Sequence, residues 1–209
     1  MRRQYSESGL DGNLSNIVNL QKFTYGLASK AAGEQEVLRE ITRFIFHAFG
    51  FKEIAVALRS PTDGKYRYEA FLGMTRDAEQ GYKAIIYDHS HVFNDDIYPG
   101  IRLSKHTELA LAELEAYVEG EEGSYNRPAM LKEKRASADQ MLDSDYYTAY
   151  LLGPGDDTFG WIELSGHKSG KFPPMGIIRQ LELFSSVISL ILYQWRAGVK
   201  KASPGPRPK

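Results

Sequence analysis

The chain has 209 residues, 42% hydrophobic and 25% charged, with a formal net charge of −1. That length suits one domain with a real core, and the charge balance offers no general attraction to nucleic acid or to an anionic membrane. Cysteine is absent, which excludes disulfides, thiolate metal ligands, thiol nucleophiles and thioether-linked chromophores.

The N-terminal MRRQYSESGLDGNL has two arginines and no apolar run behind them, so it does not read as a secretory signal. Residues 1–13 are expected to be a flexible N-terminus. NLSNIVNLQKFTYGLASKAA then carries Ile17, Leu20, Phe23, Leu27 and Ala31 at helical spacing, and EQEVLREITRFIFHAFG forms a second helix with an acidic first turn and a closing Gly50. His47 reads as a packed helix residue. KEIAVALRS and KYRYEAFLG flank PTDG, a strand pair around a turn. TRDAEQGYKA is a short helix, and IIY is a strand leading into YDHSHVFNDD. From Asn94 to Asp145 the chain is long and mixed: HTELALAELEAYVEG is expected to be helical, EEGSYNRPAM loop-like, and LKEKRA helical. DYYTAYLLG and TFGWIELSG flank PGDD as a second hairpin. A long helix follows in PMGIIRQLELFSSVISLILYQWRAG, with a stripe of Ile177, Leu181, Phe184, Ile188, Ile191 and Trp195. A second stripe, Leu183, Val187 and Leu190, lies beside it. The greasy stretch within it, LFSSVISLILYQW, is too short to span a bilayer. Residues 198–209 are expected to be a disordered tail, and the protein to be soluble and cytoplasmic.

Strands cluster while helices lie at the ends. The order predicts an α+β fold: an antiparallel sheet with the N- and C-terminal helices on one face. The irregular helical insertion would lie over the other face, where a small-molecule pocket can form.

This succession resembles a GAF domain, the sensory relative of PAS, over residues 14–197. The resemblance is carried chiefly by DYYTAYLLGPGDDTFGWIELSGHKSGKFPPMGIIRQLELFSSVISLIL, with YNRPAML, GWIELS and IRQLELFSSVISL similar to a variant found in prokaryotic signalling proteins. It implies a GAF/PAS-like regulatory module that binds a small molecule or a partner protein and signals through its terminal helices. Departures narrow this. Cyclic-nucleotide-binding members carry an Asn-Lys…Phe…Asp-Glu signature, whereas here Phe159 is followed by GWIE and Phe93 by NDDI. The bilin-binding and methionine-sulfoxide reductase branches depend on cysteine.

Catalytic motifs are missing. GHKSGKF has three residues between its glycines and Phe172 after Lys171, so it is no phosphate loop. There is no G-x-S-x-G elbow and no H-E-x-x-H. The reading is a non-enzymatic sensor without a cofactor. On a continuing strand His89 and His91 would project to one side. That supplies two metal ligands without a third, so a polar pocket wall is preferred and a metal- or haem-binding sensor is the alternative. Arg102 in GIRLS, with Tyr125, Asn126 and Arg127 in YNRP, brings oriented donors, which suit a small anionic or polar molecule. Pinning of the insertion by Arg102 and Arg127 is the competing role. Strand alternation sets Tyr146 and Tyr150 opposite Tyr147, without saying which set faces the pocket, and Tyr147 joins the candidate ligand-binding residues. The two stripes of the last helix predict a homodimer through the terminal helices, and a structural dimerisation module with a filled pocket is a further alternative.

Overall fold

The computed structural model describes residues 10–29, 33–114 and 117–196. Two helices open it, α1 (Leu10–Ser29) and α2 (Glu34–Phe49). In α2, Glu34 and Glu36 sit in the first turn, where carboxylates meet the positive end of the helix dipole, and Gly50 ends the helix at φ 76°. Its apolar spacing buries Val37, Leu38, Ile41, Ile45 and Phe49 along one face. Leu20, Phe23 and Leu27 of α1 pack on the same core, the Phe23 ring lying 4.6 Å from Phe44 and 5.7 Å from Phe184. Residues 10–13, expected to be flexible, are thus already helical. The remainder of that segment (1–9), the tail (198–209) and the side chains of Ile17 and Ala31 lie outside the described residues.

Six strands form one antiparallel sheet: β1 (Phe51–Arg59), β2 (Tyr66–Leu72), β3 (Ile101–Arg102), β4 (Thr107–Ala110), β5 (Tyr146–Leu152) and β6 (Thr158–His167). Their order is β2-β1-β6-β5-β4-β3. Both expected hairpins are present, and β1 pairs with β6 at the centre although about a hundred residues of chain separate them. Residues 107–110, expected to be helical, are instead a strand. Their backbone groups complete the otherwise open edge of β5, a long-range pairing that outweighs local helix propensity. LKEKRA is likewise not a helix.

After β2, α3 (Arg76–Ala84) starts where the Thr75 hydroxyl accepts the Ala78 N–H at 3.2 Å. The expected strand through IIYDHSH shrinks to a single bridge between Tyr87 and Tyr66, and the chain then turns into α4 (His89–Val92).

The two faces of the sheet differ in chemistry. On one, Ile54, Val56 and Leu58 of β1, Tyr147, Ala149 and Leu151 of β5, and Ile162 and Leu164 of β6 meet α2 and α5 (Met175–Arg196). On the other lie Ala55, Ala57, Tyr66, Tyr68 and Trp161. The register slips between Val56↔Ala70 and Ala57↔Tyr68. One extra residue, Glu69, therefore reverses the alternation of β2 and sends Tyr66 and Tyr68 to the second face while Ala70 stays on the first. In α5, Leu181, Phe184 and Ile188 are buried as the stripe requires, whereas Trp195, Leu183 and Leu190 are exposed. The helix extends well past the greasy stretch that was too short to span a bilayer: its 22 residues are long and apolar enough to cross one by length and composition alone. Ile178, Leu181, Phe184, Ser185, Ile188, Ser189 and Leu192 are nonetheless buried in this fold.

Candidate functional site

Between the second face of the sheet and the insertion lies a cavity of about 80 Å³. By the volume a water needs, it has room for roughly six waters or one small molecule. Its floor is set by strand alternation. β5 presents Tyr146, Thr148 and Tyr150, and β6 presents Trp161 and Glu163. Its roof comes from Phe93, at the end of α4, and from the insertion, with Asp95, Tyr98, Glu121, Ser124 and Tyr125. Outside it lies an open groove of about 240 Å³, which shares Phe93, Arg102 and Tyr150 with the cavity wall. Those three residues form the mouth.

Two carboxylates dominate the interior. Glu163 Oε1 accepts from Trp161 Nε1 at 3.0 Å and from the Tyr68 hydroxyl, and Oε2 accepts from the Tyr82 hydroxyl at 3.1 Å. Glu121 accepts from the Tyr98 hydroxyl at 2.7 Å and from the Tyr87 hydroxyl at 3.2 Å. The carboxyl of Glu163 is surrounded by protein, and the part of its surface still accessible faces the cavity. Burial pushes the Glu163 and Glu121 carboxyls above their ordinary range, against the pull of the donated hydrogen bonds. Burial also raises the phenols of Tyr68, Tyr82, Tyr87 and Tyr98, so they remain neutral donors at any physiological pH.

The roof is held by contacts that sequence reasoning missed. Gly81 of α3 faces the Gly123 carbonyl so closely that a Cβ at Gly81 would lie 2.3 Å from that oxygen. This approach seats the 3-10 turn Glu122–Ser124, and with it Glu121, over the sheet. Arg135 grips the far end of the insertion. It binds Asp145 at 2.8 and 2.9 Å and Glu113 at 2.7 Å, donates to the Gln140 carbonyl, and stacks on Phe172 at 4.9 Å. Asp145 is fully buried and also accepts the N–H groups of Ala112 and Leu142. An acidic residue directly before a strand, with an arginine ten residues upstream, is a weak signal in one sequence, because the loop that joins them has no period.

The candidate residues separate. Arg102 and Tyr125 line the cavity, Arg102 pairing with Glu108 at 3.1 Å and lying 4.9 Å over the Tyr150 ring. Asn126 instead clasps the loop after β2: its Oδ1 accepts the Thr75 N–H at 2.6 Å and its Nδ2 donates to the Gly73 carbonyl at 2.8 Å. Arg127 is exposed and pairs with Asp143, away from the cavity wall. Tyr147 faces the opposite way from the pocket position assigned to it. It lies in the helix-side core, 5.8 Å from Phe51 and 6.5 Å from Phe172, because its alternation matches Ala149 and Leu151. Tyr146 and Tyr150 take the cavity side.

The histidines also need correction. On the one-turn helix α4, residues two apart point to different sides, so His89 and His91 do not converge. His89 packs on Phe93 at 4.6 Å and His91 on Tyr98 at 5.7 Å, both behind the cavity lining. Among the described residues, no group of three His, Asp or Glu side chains is arranged to hold a metal ion.

No protein-family model and no curated protein matches the sequence. The fold, however, is similar to that of solved GAF domains. The GAF domain of a phosphoenolpyruvate-protein phosphotransferase from Coxiella burnetii superposes with a TM-score of 0.58 at 12% identity, covering 88% of this chain and 96% of that one. The corresponding domain from Acinetobacter gives 0.57 at 9% identity, over 95% and 99% of the two chains. Residues 122 to 287 of a methyl-accepting chemotaxis protein give 0.51 at 9% identity, over 88% and 99%. The chain has the GAF fold, an α+β sheet domain with its end helices on one face.

Proposed function

We propose that this is a non-enzymatic sensory or regulatory domain of signal transduction, which binds a small molecule between its sheet and its insertion. The observation that carries the reading is the cavity: aromatic walls that also present hydroxyl and carboxylate groups, and a mouth of three side chains shared with a larger groove. Tyr125 and Arg102 are its candidate contacts from the sequence, and Glu163, Glu121 and Tyr150 join them. The solved phosphotransferase GAF domains and the chemotaxis protein of the same fold support a signalling role. The domain acts in the cytoplasm, as a homodimer through its terminal helices, on a partner protein.

Native mass spectrometry of the purified chain tests the binding. A small molecule that copurifies with wild type and is lost on Thr148→Phe, which fills the cavity floor, is the expected result. A chain that carries nothing, and that tolerates Thr148→Phe without change in thermal unfolding or in any candidate-ligand shift, would leave a structural module instead.

A further inference from the structure

Five of the cavity's aromatic donors are engaged by its own carboxylates. The hydroxyls of Tyr68 and Tyr82 and the Trp161 indole N–H point at Glu163, and those of Tyr87 and Tyr98 point at Glu121. An anion entering here would face Asp95, Glu108, Glu121 and Glu163, with Arg102 the only guanidinium among the described residues of the wall. Arg102 is itself bound by Glu108. Of the arginines that suggested an anionic ligand, Arg102 is therefore already paired within the wall and Arg127 lies outside the cavity altogether.

The mouth shows what such a wall accepts. There a cation, the Arg102 guanidinium, lies 4.9 Å over the Tyr150 ring and 3.1 Å from Glu108, whose Oε2 also accepts the Tyr150 hydroxyl at 3.2 Å. An aromatic face and a carboxylate tied to a tyrosine hydroxyl together hold a positive charge. Deeper in, the same combination recurs around Glu163 and Glu121, in a wall where the Trp161 ring lies 5.8 Å from Tyr87 and 6.1 Å from Phe93. Among the described residues, the hydrogen bonds to these carboxylates come from neutral donors. Buried carboxylates are ordinarily paired with a positive charge.

We infer that the ligand is a small organic cation, a protonated or quaternary amine, seated against Glu163 and Glu121 with its carbon-bound face on the rings of Trp161 and Tyr87. This rests on the sensor reading above and gives it a ligand class. A desolvated ammonium in such a site gains both from the ring faces and from the carboxylates.

Thermal unfolding and titration calorimetry of the full chain test it, with methylammonium, tetramethylammonium and choline chlorides as probes against sodium chloride of equal ionic strength. Sodium acetate and sodium phosphate form the anion arm. At least one ammonium ion should raise the melting temperature saturably, and Glu163→Gln, which keeps the acceptor oxygen but not the charge, should weaken its binding at least tenfold. Glu121→Gln provides the same comparison should Glu163→Gln fail to fold. Stabilisation by acetate or phosphate alone would overturn the cation assignment and leave the sensor reading standing. Ammonium binding unchanged in both Gln variants would overturn it too, by placing the cation elsewhere. Silence in both arms would defeat this inference and the sensor reading together.

Discussion

Glu163 occupies a position where ionisation is opposed by burial first, and by the nearby Glu121, while the Tyr68, Trp161 and Tyr82 donors favour it. The net effect raises the folded-state pKa above that of the unfolded chain, whose ordinary glutamate value is about 4.3. Between those two values the folded state holds the proton more tightly, so the contribution to stability is greatest at acid pH and is lost as pH rises through the window. Urea unfolding followed across pH should show this decline in wild type and a smaller one in Glu163→Gln, where Glu121 still contributes; equal pH profiles would rule out a shifted Glu163. Two arginines give a sharper contrast. Arg135→Ala strands the fully buried Asp145 carboxylate and should cost ~3–5 kcal/mol. Arg127→Ala removes an exposed guanidinium from Asp143, which stays partly open to solvent, and should cost less, ~1 kcal/mol. Chemical denaturation separates the two, and equal losses would mean that Arg135 does not hold the insertion.

At the level of elements, α5 has more apolar surface than its place on the sheet consumes. Leu181, Phe184 and Ile188 are buried, while Leu183, Leu190 and Trp195 remain 51, 58 and 43% exposed. The neighbouring groove, between Leu20, Phe44 and Leu183, is almost wholly apolar. A second copy of the chain would cover this face, and Leu190→Glu should then shift the protein toward monomer in sedimentation or light scattering. Wild type that stays monomeric at high micromolar concentration would refute the dimer. The roof elements are built differently. α3 and the turn at Glu122–Ser124 meet backbone to backbone at Gly81 and Gly123, a contact that depends on the absence of a side chain rather than on apolar area.

For the whole molecule, the cavity lies on the aromatic side of the sheet, opposite the main apolar core. The sheet and its helices bury a continuous apolar core. The insertion is attached through the β4–β5 ladder, Arg135, Asn126 and short 3-10 turns, and segments held mainly by polar contacts open at lower free energy than cores do. A ligand bound beneath it at a hundred times its dissociation constant adds ~2.7 kcal/mol to the folded state. Hydrogen exchange should therefore slow more in residues 88–145 than in α2 or α5 when a binding amine is added. Uniform protection, or protection confined to α5, would count against a ligand held under the insertion.

The apolar periods of α2 and α5, the turn residues of both hairpins, and the lack of cysteine were legible in the sequence, because helix and strand faces are written locally at fixed spacing. They suffice for the α+β class and for which helices cover the sheet. The strand at Thr107–Ala110 was not legible, since its hydrogen bonds belong to β5, some forty residues away. Nor was the cavity side of β5 and β6: alternation separates Tyr147 from Tyr146 and Tyr150, but only packing against α2 and α5 decides which set is turned inward. His89 and His91 were misread for the same reason, as a helical turn replaces the extended chain there. Glu163 is one carboxylate among many in the sequence. It becomes the centre of a candidate site only when β1, β2, α3 and β6 bring Tyr68, Tyr82 and Trp161 around it, because a buried charge is defined by neighbours distant in the chain.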